Sequence, residues 1–267
     1  MKQTFSTFLK SKNLSDNTIK SYTKTVENFC EEFGEITKNH LLAFKGNLVE
    51  KHKPKTVNLR IQGMNKYLEF IGKKDLALSS IKIQQKPFLE NVISNADYSF
   101  LKDSLKKDEL FEWYFVVRFL GATGARISEL IQMKIEHVKC GYFDIYSKGG
   151  KVRRIYIPKT LCKEAVEWLS NSQRRSGYLF INKKGKCIST RGIAIQLKKC
   201  AVRYGINPNV VYPHSFRHRF AKNFIEKYKD ISLLADLMGH DSIETTRIYL
   251  RRTATEQKEI VDKIVTW

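Results

Sequence analysis

The sequence predicts a mainly α protein: a helical N-terminal domain followed by a mixed α/β domain with a small β-hairpin or sheet. Three observations predict it. Apolar residues recur at three- and four-residue spacing through residues 1–82 and again from about Val92. Around 138–158 the period changes to two, on either side of a Gly-Gly dipeptide. The hydrophobic share is 42% of 267 residues, enough apolar area for one large core or two modest ones.

The elements follow in order. Leu14-Ser15-Asp16-Asn17-Thr18-Ile19 reads as a helix start, with Ser15 as the N-cap whose hydroxyl accepts from an otherwise unpaired amide. Ile19, Tyr22, Val26, Phe29 and Phe33 then fall on one face. A second helix runs from about Lys55, just after Pro54, with Val57, Ile61, Met64, Tyr67, Leu68 and Ile71 inward and Gly72 as its stop. Ile83-Gln84-Gln85-Lys86-Pro87 is polar, ends in proline and joins two apolar regions. It divides the chain into a helical domain over 1–86, a linker over 87–92 and a second domain over 93–267. Phe111 to Leu120 is apolar nearly all round and predicts a buried central helix. Tyr142–Tyr146 and Val152–Ile157 flank Ser147-Lys148-Gly149-Gly150-Lys151, as strands flank a hairpin turn. At the C-terminus, Ile260, Ile264 and Trp267 share a face with Val261 and Val265, opposite Glu256, Lys258, Glu259, Asp262 and Lys263. So short an amphipathic helix is unstable alone, so its apolar face must dock on its own domain or on a neighbouring protomer.

The formal net charge is +21, from 48 Lys and Arg against 27 Asp and Glu. The excess is +8 over residues 1–86 and +13 over 87–267, so it is not a tail. A spread of this kind suits a protein that wraps a polyanion, although a generally basic soluble protein also fits. Cys30, Cys140, Cys162, Cys187 and Cys200 form no C-x-x-C pair, which argues against a zinc ribbon or finger and for reduced thiols. Neither a leader-like apolar stretch nor a membrane-spanning one is present, so the expected location is the cytoplasm, or the nucleoid in a bacterium.

The candidate chemistry lies in three clusters. Arg126 follows the Thr123-Gly124 turn and is expected in the first turn of the next helix, with Glu129 three residues on to orient its guanidinium. His214 and Arg217 follow Pro213 at a helix N-terminus and share a face, while Phe216, Phe220 and Phe224 form the inward stripe. His240 follows Gly239, a helix C-cap, and Asp241 with Glu244 reads as a capping box for the next helix. Tyr249 then falls about two turns in. A phosphodiester transition state gathers negative charge on its nonbridging oxygens. Guanidinium groups meet that charge with a planar fork and stay protonated. The chain has no dense Asp/Glu cluster to hold Mg²⁺, so arginines are the natural substitute.

Gly124-Ala125-Arg126-Ile127-Ser128-Glu129-Leu130, His214-Ser215-Phe216-Arg217-His218, Leu237-Met238-Gly239-His240 and Thr245-Thr246-Arg247-Ile248-Tyr249, in that order, resemble the tyrosine recombinase (phage-type integrase) family. The resemblance covers nearly the whole chain. It implies a helical core-binding domain before a catalytic domain, and a site-specific recombinase that breaks and rejoins double-stranded DNA. Tyr249 would be the nucleophile, forming a 3′-phosphotyrosyl link, and Arg126, His214, Arg217 and His240 would surround the phosphate. Within the hairpin turn, Lys148 rather than Lys151 would be the general acid, although Ser147 stands where the family has glycine. The resemblance implies no cofactor and no metal. It implies inverted-repeat core sites, a homotetramer on two DNA sites linked by C-terminal helices, and passage through a Holliday junction. It leaves room for accessory DNA-bending proteins, and for integration or excision of a mobile element or DNA inversion.

Other readings stay open on the residues alone. His214 and His218, four apart, match a zinc pair, but the glutamate of H-E-x-x-H and a third ligand are missing. Ile231 to Leu250 also reads as a helix-turn-helix, in which Arg247 and Arg251 touch DNA and Tyr249 only packs; this leaves Arg126, His214 and Arg217 unexplained. A type IB topoisomerase shares the same set of reactive groups.

Overall fold

The computed structural model describes residues 4–83, 91–146, 152–240, 242–250, 258 and 261–265. The chain forms two compact units, Met1–Gln85 and Lys86–Trp267. The protein is mainly α, with one two-stranded antiparallel sheet among the described residues.

The first unit holds α1 (Phe5–Ser11), α2 (Asp16–Phe33), α3 (Lys38–Lys51) and α4 (Pro54–Phe70). Ser15 caps α2 and accepts from the Thr18 amide, as its place before the apolar period requires. Pro54 opens α4 where a missing N–H costs nothing. Ile19, Tyr22, Val26 and Phe29 of α2 are buried, as are Val57, Ile61, Met64 and Leu68 of α4. Phe29 is the centre of this packing, with the rings of Phe33 and Phe44 each 5.2 Å away.

The second unit begins with α5 (Asn95–Lys107) and α6 (Phe111–Thr123). Within α6, residues 114–117, 119 and 120 are all buried, so it is the central helix that its apolar composition predicts. Short helices α7 (Ile127–Leu130) and α8 (Ile135–Cys140) lead into β1 (Tyr142–Tyr146) and β2 (Val152–Tyr156). The strands pair in the register Tyr142↔Tyr156 to Tyr146↔Val152, and the predicted turn 147–151 lies outside the described residues. Then come α9 (Lys159–Asn171), α10 (Thr190–Arg203), α11 (Pro213–Tyr228), α12 (Ile231–Met238) and α13 (Ile243–Arg247). A single 3-10 turn, Ile248–Leu250, follows α13. Residues 258 and 261–264 are helical, with Val261, Ile264 and Val265 exposed; Ile260 and Trp267 lie outside the described residues. Among the described residues no helix is long and apolar enough to cross a membrane.

Phe29→Ala should destabilise the first unit by about 3–5 kcal/mol, because it removes a fully buried ring that two other rings pack against. Urea unfolding of the full chain, followed by circular dichroism, should show the loss.

Candidate active site

The site is assembled at the ends of four helices and on one strand. Gly124 ends α6 in the left-handed region (φ +63°), and a Cβ there would stand 2.5 Å from the Phe220 ring. Only glycine meets both demands. The chain then turns so that Arg126 is the residue just before α7, not one within its first turn as expected from the sequence. From there its backbone amide donates to Glu129 Oε2 (2.7 Å) and its Nη1 to Glu129 Oε1 (2.9 Å). Glu129 thus holds Arg126 at both main chain and side chain.

Pro213 starts α11 and places His214 and Arg217 in its first turns. The Ser215 hydroxyl accepts from the Ile93 amide at 2.7 Å, which fixes this helix start to the beginning of the unit. Arg217 is 1% exposed. Its Nη1 donates to the Gly124 carbonyl (2.7 Å) and its Nη2 to that of Met238 (2.5 Å). Burial first, then the charges of Arg126 and Arg153, push Arg217 down to about 10, so it remains protonated at neutral pH.

Gly239 ends α12 with φ +60°. Three successive carbonyls at this helix end each accept from a different arginine: Leu237 from Arg153 Nε (2.8 Å), Met238 from Arg217, and Gly239 from Arg126 Nη2 (3.0 Å). These are the oxygens that a helix C-terminus leaves unpaired, at the negative end of its dipole.

His240 comes next. Its Nε2 lies 3.1 Å from Arg217 Nη2 and its Nδ1 2.8 Å from the Thr246 hydroxyl. A guanidinium can only donate, so Nε2 accepts and Nδ1 carries the proton. Burial, with Arg217, Arg126 and Arg153 nearby, pushes His240 down to about 4. His218 also falls to about 4, through burial and then the neighbouring His214 and Arg217. His214 is lowered by burial, then by the charges of Arg217 and Arg126. All three imidazoles are therefore neutral at pH 7.

Tyr249 lies in the 3-10 turn after α13 rather than two turns into a longer helix. The N-cap of α13 is Ser242, whose hydroxyl accepts from the Glu244 amide; Asp241, the cap expected from the sequence, lies outside the described residues. Glu244 instead pairs with Arg247 at 3.2 Å. Tyr249 is 3% exposed, packed with Ala221, Leu234 and Met238. Its ring stacks on His240 (6.0 Å, 12°) and lies 5.3 Å from that of His218, which in turn is 4.5 Å from that of His214. Burial raises the phenol, outweighing the nearby charges of Arg217 and Arg126, which pull it down.

The structure thus brings together Arg126, His214, Arg217, His240 and Tyr249. Lys148 and Lys151 lie outside the described residues. Among the described residues no group of three or more His, Cys, Asp or Glu side chains could hold a metal ion. Two further residues of the site had no role assigned from the sequence. Thr246 is fully buried beneath His240 and carried no signal of its own. Arg153 did carry one. Strand alternation puts it on the same face as Ile155 and Ile157, and a charge on an apolar strand face needs a buried partner. The partner is Glu129, whose Oε1 accepts from Arg153 Nη1 at 2.7 Å. Burial raises the Glu129 carboxyl, but Arg153 and the Arg126 hydrogen bonds outweigh it and hold it below the usual range.

Residues 92–256 match the model of the Phage integrase family. Tyrosine recombinase XerA of Pyrococcus furiosus is 33% identical over 97% of this chain and 92% of its own. The chain belongs to the tyrosine recombinase family. It is an enzyme of the class of site-specific DNA recombinases. Tyrosine recombinase XerD of Oceanobacillus iheyensis is 25% identical to the recombinase, over 93% of its chain and 92% of the relative. A solved XerH site-specific recombinase bound to palindromic difH substrate superimposes with a TM-score of 0.74 at 20% identity, covering 95% of this chain and 81% of that one, and shares its fold.

The neutral histidines predict an acid-labile site. His218 and His240 bind protons at about 4 when folded and near 6.5 when unfolded. Below pH 6.5 the unfolded chain takes up protons that the folded site refuses, so stability is full above that pH and declines towards pH 4. Glu129, held below its usual range, adds to the fall in the same direction, mainly as pH drops through the unfolded value of 4.5. The melting midpoint should therefore fall by roughly 3 °C or more between pH 7.5 and pH 5. The fall should be smaller in His218→Phe, as scanning calorimetry at the two pH values would report.

Proposed function

We propose that Tyr249 is the nucleophile that cleaves DNA and that Arg126, His214, Arg217 and His240 surround the scissile phosphate. One observation carries the reading: the Tyr249 ring stacks on His240, whose Nε2 lies 3.1 Å from Arg217 Nη2, within a cluster that sets three guanidiniums against a single carboxylate. With neutral histidines that cluster keeps a net positive charge. It also keeps buried nitrogens without a hydrogen-bond partner among the described residues, at Arg217 Nε, Arg153 Nη2 and His218 Nδ1. A phosphate gaining charge in its transition state is the ligand such a cluster suits, with no metal required.

In the proposed reaction the Tyr249 oxygen attacks phosphorus and gives up its proton to a neutral histidine. The bond from phosphorus to the 5′ oxygen breaks, and that oxygen takes a proton from Lys148. The 3′-phosphotyrosyl ester keeps the phosphodiester energy, so rejoining needs no ATP. A 5′ hydroxyl from the partner duplex then attacks the ester and displaces Tyr249, which leads through a Holliday junction. Four protomers on two inverted-repeat core sites carry this out, linked by their C-terminal helices. Residues 1–86 act as the core-binding domain and 93–267 as the catalytic domain. The biological outcome is integration or excision of a mobile element, or DNA inversion. Accessory DNA-bending proteins assist where the element uses them. The basic excess in both halves supports DNA as the substrate.

On a nicked target the protein should form a DNA adduct that survives SDS, with or without EDTA. Tyr249→Phe should bind the same DNA and form none; an adduct from that variant would mean another nucleophile. Arg126→Ala and Arg217→Ala should each slow cleavage by about 10² or more while weakening site binding far less, as loss of a transition-state donor does. Comparable losses in binding and cleavage would reduce both residues to backbone anchors.

A further inference from the structure

Arg153 adds its charge to the cluster just described but has no step of its own in the reaction, and it touches both groups that hold Arg126. Arg126 is the exposed arginine of the three, with 40% of its side chain open to solvent, and its own helix α7 is only four residues long. Neither feature gives its guanidinium a fixed place. Glu129 alone does not supply one, because it stands on the same short helix. Arg153 does. It is 8% exposed, and it stands on β2 rather than on α7. Its Nη1 donates to Glu129 Oε1, the same oxygen that accepts from Arg126 Nη1. Its Nε donates to the Leu237 carbonyl, two residues before the Gly239 carbonyl that accepts from Arg126 Nη2. Its Cδ fills the space over Gly239, 2.3 Å from where a Cβ would be. Both acceptors that fix Arg126 are therefore held from behind by Arg153.

We propose that Arg153 is a positioning residue for DNA cleavage, which sets the Arg126 guanidinium against the scissile phosphate through Glu129 and the end of α12. The proposal rests on the reading of Arg126 as a phosphate-binding arginine. Stability alone is a poor account of Arg153. A buried ion pair rarely stabilises more than an apolar side chain of the same volume, and Arg153 Nη2 is buried without a partner among the described residues.

The test uses the full-length protein in single-turnover adduct formation on two suicide substrates. One carries an ordinary scissile phosphodiester, the other a methylphosphonate. The methylphosphonate lacks one nonbridging oxygen and its charge, so it asks less of the cation that Arg126 supplies. On the phosphodiester, Arg126→Ala and Arg153→Met should each be slower than wild type by about 10², with half-site binding changed by no more than about threefold. On the methylphosphonate both deficits should shrink to less than about tenfold. The double variant should be little slower than either single one, because both changes remove the same interaction. Arg153→Lys keeps a charge but cannot bridge Glu129 and Leu237 at once. It should show the same dependence on substrate, and it decides the matter if Arg153→Met does not fold. If the Arg153 deficits are equal on the two substrates while that of Arg126→Ala shrinks, Arg153 is structural only and the proposal fails. If the Arg126→Ala deficit does not shrink, the reading of Arg126 itself fails, and with it the route through which Arg153 acts.

Discussion

The C-terminal end of α12 sets the geometry of this site, because three guanidiniums meet there on three consecutive carbonyls. Bringing three like charges together out of water is costly, and each arginine raises that cost for the others. Two features offset it. The unpaired carbonyls of the helix end carry partial negative charge where the arginines converge. The Glu129 carboxylate is shared by Arg126 and Arg153. Neither cancels the charge completely, and in the function proposed above the remainder would meet the phosphate.

The rest of the site follows from that helix end. His240 is the next residue, and Arg217 reaches it with the same nitrogen that it gives to Met238. The His240 imidazole is then a fixed wall for the ring of Tyr249; Arg217 sets its tautomer, and its Nδ1–H donates to the Thr246 hydroxyl below. Close approach of backbone to side chain makes this possible at two glycines. Gly124 admits the ring of Phe220 and Gly239 admits the stem of Arg153, both at backbone angles that other residues seldom take. Each glycine also supplies a carbonyl to an arginine, Gly124 to Arg217 and Gly239 to Arg126. Shape and charge are thus set by the same residues.

Much of this was legible in the sequence. The helical period gave α2, α4 and α6, and the alternating runs gave β1 and β2 in their observed places. Ser15, Pro54 and Gly239 marked helix ends because capping is chemistry within one turn. The pairing of Arg126 with Glu129 and the shared face of His214 and Arg217 are also separations of three residues. Local rules were less reliable at the junction before Tyr249. There the cap is Ser242, and the tyrosine lies in a tighter 3-10 turn packed against α11 and His240.

The sequence by itself determined which residue types are present and which of them share a helix face or a strand face, since both depend on spacings of four residues or fewer. Tertiary structure alone decided that Arg153 belongs with Glu129, 24 residues away, and with Leu237, 84 residues away. It decided as well that Arg126 meets Gly239 across 113 residues and Arg217 meets Gly124 across 93. The physical reason lies in the acceptors. Most are main-chain carbonyls, which every residue carries, so nothing in the sequence distinguishes them until packing brings a helix end to the arginines.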